Sequence, residues 1–122
     1  MPHWEVEFSA RFESWWRGLD APTQDAIARI IGLLEIEGPQ LGFPYSSALR
    51  GSRVTHLREL RVQARGRPLR VLYAFDPRRT AILLVGGDKA GDPRWYERSI
   101  AQAEALYRDH LRDLMDGGET HG

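Results

Sequence analysis

Cysteine is missing from the 122-residue chain, so neither a disulfide framework nor a thiolate metal site is available to it. Lysine is nearly missing: 16 of the 17 basic residues are arginine, and the single exception is Lys89. The four histidines, His3, His56, His110 and His121, are scattered without metal-ligand spacing. No apolar run approaches the roughly 18–20 residues that a membrane span requires. The opening MPHWEVEFS has neither the basic nor the apolar region of a secretory signal. GGDKAG sets its lysine among glycines but lacks the GxxxxGK[ST] spacing that cradles nucleotide phosphates. Internal repeats and low-complexity tracts are absent too. These absences lead to the expectation of a cytoplasmic protein with no cofactor, no metal and no membrane contact.

What is present points to one packed domain. Apolar residues make up 42% of the chain, with four each of Trp, Tyr and Phe, enough for a core without staples. The domain is expected over residues 1–115, with DGGETHG at 116–122 as a frayed tail. A net charge of zero hides a division into three. Residues 1–49 hold three arginines against seven acids, a net −4. Residues 50–79 hold nine arginines against Glu59 and Asp76, a net +7. Residues 80–122 hold five basic residues against eight acids, a net −3. So basic a middle segment fits a phosphate-rich partner. An arginine-biased composition on solvated strand faces accounts for it equally well.

The periodicities predict the order β-α-α-β-β-β-α, an α+β domain. Trp4 to Phe8 alternates as a short strand. Ser9 can cap a helix whose Phe12, Trp15, Trp16 and Leu19 follow helical spacing. A second helix opens near Asp20 with Pro22 in its first turn, carries Ile27, Ile30, Ile31 and Leu34, and ends at Gly38-Pro39. These two form a helical hairpin. Residues 40–53 read as irregular. Strands then follow at about 57–63, 69–76 and 80–86, linked by ARGRP and by DPRR, an antiparallel meander. The runs LRVLYAF and AILLV suggest cover on both faces. The last helix starts near Asp92-Pro93 and carries Tyr96, Ile100, Ala103, Tyr107, Leu111 and Leu114.

Within such a meander, the start of the strand at 69–76 lies beside the ends of both neighbours. Arg70 therefore falls near Arg61 and near Val85 and the Gly86-Gly87 exit, from which Lys89 and Tyr96 leave. Four polar side chains, Arg61, Arg70, Lys89 and Tyr96, converge on one end of the sheet. Such a set suits metal-free RNA cleavage, which needs a base, an acid and cations for the developing phosphorane charge. Arginine grips phosphate with two donors but keeps its proton; lysine can exchange one. Tyrosine can stack on a base or donate to phosphate. Each has an ordinary alternative: Arg70 paired with Glu59 or Asp88, Lys89 an exposed turn residue, Tyr96 a core ring with its hydroxyl at the rim. Arg58, Arg65, Arg67 and His56 are the further candidates for an RNA-binding face.

The stretches LRGSRVTHLRELRV, RPLRVLYAFD and AILLVGGDKAGDPRWYERSIAQAEALYRDHL together resemble the RelE/HigB superfamily of bacterial toxins. The likeness is strongest to the branch described as phage Gp49-like and runs from WEVEFS to the last helix. It implies a RelE-like fold and the toxin of a type II toxin-antitoxin system, cleaving messenger RNA in the ribosomal A site by metal-free 2′-hydroxyl attack. The implied partners are the ribosome, messenger RNA and a cognate antitoxin of helix-turn-helix, HigA-like type. By this likeness Arg70 matches the phosphate-contacting strand arginine, Arg61 a basic position on the preceding strand, and Lys89 the basic residue after the last strand. Tyr96 falls where the RelE branch has a stacking tyrosine. The sequence departs from the pattern at Glu59, where a basic residue is expected, and at Ala90, where some relatives have arginine. It also has no terminal Asp-Tyr-His run. Two other functions fit the same fold: a non-catalytic ParE-type toxin that inhibits gyrase, and an RNA-binding module without turnover.

Overall fold

A computed structural model describes residues 3–54 and 56–120, with residues 118–120 described by backbone alone. The elements are β1 (Val6–Phe8), α1 (Ala10–Arg17), α2 (Ala21–Glu37), β2 (Ser46–Ala48), β3 (Arg58–Ala64), β4 (Arg67–Phe75), β5 (Ala81–Asp88) and α3 (Trp95–Thr120). A single 3-10 turn, Gly38–Gln40, follows α2. The strands form one sheet in the order β1-β5-β4-β3-β2.

Local chemistry sets the helix starts as the sequence suggests. The Ser9 hydroxyl accepts the Phe12 N–H at 3.0 Å and donates to the Leu84 carbonyl at 2.7 Å, which ties α1 to the sheet. Asp20 accepts the Thr23 N–H at 3.1 Å and caps α2. The β3–β4 hairpin turns on Arg65 and Gly66, both at positive φ (54° and 76°), the geometry of a tight two-residue turn. The Asp76-Pro77-Arg78-Arg79 turn closes with the Arg79 N–H on the Asp76 carbonyl at 2.8 Å.

Helices cover both faces, so β4 and β5 are buried along most of their length. On one face α1 and α2 pack Phe12, Ile27 and Leu34 against Leu60, Val71, Tyr73 and Leu83. On the other, α3 packs Trp95, Ile100, Ala103 and Tyr107 against Leu72, Ala74, Ile82 and Leu84. At the exit of β5 consecutive glycines admit one tryptophan from each side. A Cβ on Gly86 would fall inside the Trp15 ring, and one on Gly87 would lie 2.5 Å from Trp95 Nε1.

Three expectations change. Residues 46–48, read as irregular, form β2, antiparallel to β3 with Ser46 opposite Leu60 and Ser47 opposite Glu59; three residues are too few to show an alternation. The sheet is mixed rather than a pure meander, because β1 runs parallel to β5 from Val6–Ala81 to Phe8–Leu83. Residues 116–120, read as a tail, continue the backbone of α3, which propagates from the packed turns before them. Residues 121–122 lie outside the described residues. Among the described residues no helix is long and apolar enough to cross a membrane.

At the β4–β5 turn the buried Asp76 carboxylate binds His110 Nε2 at 2.9 Å, Arg78 Nε at 2.9 Å and the N–H groups of Arg78 and Thr80. Burial pushes this carboxyl up, but the bonds from His110, Arg78 and Thr80 outweigh it, leaving its pKa below the ordinary 3.8. With the folded pKa depressed, the stabilisation is complete above 3.8 and fades as pH falls through the folded value. Asp76→Asn should therefore flatten the acid limb of the Tm-against-pH curve and lower the neutral Tm.

Candidate functional site

Strand register builds the site. Arg61 on β3 pairs with Arg70 on β4, which pairs with Gly87 on β5. One row further, Ser47 lies opposite Glu59, which lies opposite Leu72. Directly opposed residues share a face, and this face is the one under α3. Trp95 caps Gly87 there, and Tyr96 follows it into the space above Glu59 and Arg70.

Glu59 is the hub. Its Oε1 accepts the Tyr96 hydroxyl at 2.6 Å and lies 3.4 Å from Arg70 Nε. Its Oε2 accepts the Ser47 hydroxyl at 2.8 Å and lies 3.4 Å from Arg61 Nη1. Arg70 also donates from Nε to the Tyr96 hydroxyl at 3.3 Å and from Nη1 to the Leu69 carbonyl at 2.9 Å. The Glu59 and Arg70 side chains are 8% and 6% exposed, whereas Arg61 is 31% exposed. Arg61 therefore forms the outer cation of the pair, and Arg70 sits behind it. Burial, and next the Glu59 carboxylate, raise the Tyr96 pKa, while Arg70 lowers it by less. Tyr96 is thus held protonated at neutral pH, a donor rather than a base.

Lys89 stands one residue beyond β5, its N–H on the Pro68 carbonyl at 3.2 Å. It lines a shallow concavity with Gly91, Asp92, Pro93 and Tyr96. No ion-pair partner is present for its ammonium group among the described residues. Gly91 at φ 67° and the Ala90 N–H on Asp88 Oδ1 at 2.9 Å shape the turn that presents it. Arg61, Arg70 and Tyr96 are thus in mutual contact through Glu59, and Lys89 shares the rim with Tyr96.

The other candidates are not gathered here. Arg58 is three residues before Arg61, so the two-residue period of a strand sends it to the opposite face. There it donates to the Ser46 hydroxyl at 3.1 Å and the Leu41 carbonyl at 3.3 Å, securing β2. Arg65 pairs with Asp20 at 2.8 Å at the hairpin tip, and Arg67 with Asp88 at 3.7 Å. His56 binds the Tyr107 hydroxyl at 3.1 Å near the far end of β3. Part of the +7 segment is consequently neutralised by acids from its neighbours, with Arg65 on Asp20, Arg67 on Asp88 and Arg78 on Glu7. Residues not singled out from the sequence complete the surroundings: Ser47 within the cluster, exposed Arg50 beside Tyr96, and Phe43 under Arg61. All three lie in or beside the segment read as irregular, where the only signal was a pair of aromatics around a proline.

Against known proteins, the family model for "Phage derived protein Gp49-like (DUF891)" matches residues 14–108. Two Mycobacterium tuberculosis proteins are similar in sequence. The chain is 42% identical to "Putative toxin HigB2" over 87% of its own length and 54% of that protein's, so it spans about half of that relative. It is 40% identical to "Putative toxin HigB3", covering 87% of this chain and 92% of that protein. Among solved structures, a free-state mutant of the E. coli toxin RelE superposes with a TM-score of 0.59 at 14% identity, covering 84% of this chain and 96% of that one. RelE of the Pyrococcus horikoshii OT3 RelE–RelB complex gives 0.54 at 18% identity, covering 75% and 99%. At those identities the likeness is one of fold. With the family model covering most of its length, the chain belongs to the phage-derived Gp49-like family and carries the RelE/HigB-type fold.

Proposed function

We propose that this chain is the toxin of a toxin-antitoxin pair and cleaves messenger RNA on the ribosome, without metal. In this reading the ribose 2′-hydroxyl, its proton passed to water by way of Lys89, attacks its own 3′-phosphate to give a 2′,3′-cyclic phosphate. The bond to the 5′-oxygen breaks as that oxygen takes a proton from Tyr96. The observation that carries the proposal is the Glu59-centred cluster of Arg61, Arg70 and Tyr96 with unpaired Lys89 at its rim. Arg61 and Lys89 meet the phosphate first, from the surface. As negative charge develops, the phosphate competes with Glu59 for Arg70, so the buried guanidinium acts on the transition state more than on the incoming strand. Tyr96, held protonated, suits donation to the leaving 5′-oxygen.

The toxin names carried by the M. tuberculosis relatives support this role, and the RelE–RelB complex supports an antitoxin partner. We take that partner to be a helix-turn-helix protein of HigA type. The pairing of both arginines with Glu59, which an incoming phosphate must contest, favours a second reading, RNA binding without turnover. Inducing the chain in cells separates them: halted translation with new RNA 5′ ends inside translated messages supports cleavage. Intact messages contradict it, and altered DNA supercoiling would favour the gyrase-directed alternative.

Lys89 has a specific expected signature. Lys89→Arg keeps the charge but not the readily exchanged proton, so RNA affinity should stay within about twofold while cleavage falls about 10²-fold. Single-turnover cleavage beside equilibrium binding measures both; unchanged cleavage would make Lys89 a plain phosphate contact.

A further inference from the structure

Five large apolar side chains are exposed among the described residues, and two of them, Phe43 (76%) and Tyr45 (43%), flank Pro44 in the turn before β2. The turn is held by Gly42: its carbonyl accepts the N–H groups of Tyr45 at 3.0 Å and Ser46 at 3.1 Å. The Arg61 N–H donates to the Tyr45 carbonyl at 2.8 Å, which seats the turn against β3. Tyr45 thereby extends the row Tyr45–Arg61–Arg70–Gly87, and by strand alternation from Ser47 its side chain belongs to the same face. The Arg61 guanidinium lies 5.2 Å from the Phe43 ring centroid. Its exposed part therefore sits between an uncovered aromatic ring and the Glu59 carboxylate.

Resting on the RNA-directed reading above, we propose that Phe43 and Tyr45 form a stacking platform for a nucleobase of single-stranded RNA whose phosphate is held by Arg61. Aromatic faces and guanidinium planes both stack on bases, and every base offers a π-face. A phosphate at Arg61 leaves its attached nucleoside within reach of the adjacent rings. The setting favours RNA over an apolar protein segment, because the exposed Phe43 ring lies against the Arg61 guanidinium and Tyr45 is seated beside Arg61 on the same row. The platform would hold a base next to the scissile phosphate with little regard to its identity.

The test is binding of a 2′-O-methyl RNA octamer, which cannot be cleaved, and of versions with one abasic position moved along it. For the wild-type chain one abasic position should weaken binding about tenfold. Phe43→Ala and Tyr45→Ala should each weaken binding of the intact octamer by about the same factor and erase the abasic effect. Phe43→Trp should restore both. Because no cation is removed, the slope of affinity against salt should stay unchanged. Circular dichroism melts confirm the fold, which an exposed ring scarcely supports. Wild-type binding of the octamer by both alanine variants, an abasic penalty that persists in them, or no octamer binding by the wild type would overturn the proposal. So would loss of antitoxin binding with RNA binding retained. Since the octamer is not cleaved, this result is independent of whether the chain turns RNA over.

Discussion

Arg70→Ala should remove RNA cleavage, by 10³-fold or more, and should lower folding stability by about 3–5 kcal/mol. The second effect follows from burial. Glu59 and Arg70 are both nearly enclosed, and deleting Arg70 leaves the buried carboxylate with only the part-exposed Arg61 as its counter-charge. Cleavage loss in the single variant would thus be confounded with unfolding. Arg70→Ala with Glu59→Gln resolves this: the amide is neutral and keeps bonds to Ser47, Tyr96 and Arg61. Most of the lost stability should return in the double variant while cleavage stays absent. Chemical denaturation and cleavage assays on both proteins give the comparison. Recovery of cleavage with stability would show that Arg70 serves the fold alone.

Glu59→Gln by itself should have the opposite sign on binding. Glu59 lies 3.4 Å from both guanidiniums, where an incoming phosphate must compete with it. At an effective dielectric of about 20, a unit charge 4 Å away is worth up to ~4 kcal/mol. Screening at this partly open rim reduces that to about 1–2 kcal/mol, or roughly tenfold tighter binding of single-stranded RNA. The same substitution removes the carboxylate that, after burial, holds the Tyr96 pKa up, and leaves Arg70 to lower it. Tyr96 should therefore ionise at lower pH in Glu59→Gln than in the wild type, measured by phenolate absorbance against a Tyr96→Phe control. Unaltered affinity would mean that phosphate does not contest Glu59 for the arginines.

The convergence of Arg61, Arg70, Lys89 and Tyr96 was legible because it needs only strand order and antiparallel register. Short links between three strands fix both and bring Arg70 beside Arg61 and to the Gly86-Gly87 exit. The exact partner, Gly87, comes from a register shift at Leu72/Tyr73 that the sequence does not show. Helices were legible for a similar reason: Ser9, Asp20 and the aromatic and aliphatic spacings all agree with the fold. What failed to show were properties of depth and of distant pairing. Arg58, Arg65 and Arg67 look like Arg61 in one dimension. Their separation comes from strand period and from carboxylates far along the chain, such as Asp20 against Arg65. The parallel pairing of β1 with β5 is equally non-local. Glu59 reads in the sequence as a departure from a basic pattern, whereas in the structure it joins four side chains. Phe43 and Tyr45 escaped notice because a turn of two aromatics around a proline has no period.

The lone lysine gains a physical setting from this arrangement. Arginine supplies charge throughout the central strands, mostly in fixed ion pairs. Lys89 instead stands where β5 ends with no ion-pair partner among the described residues, beside Tyr96 and on the side of the sheet that carries Arg61. On the proposed function, that position would separate two tasks, holding phosphate and moving a proton, between different residue types.

The most direct test of the central claim is transcriptome-wide mapping of RNA 5′ ends after matched induction of the wild type and of the Arg70→Ala/Glu59→Gln protein. Both must be shown folded and equally abundant. The account predicts new ends within translated messages for the wild type and none above background for the double variant. The same ends appearing with both proteins would contradict it.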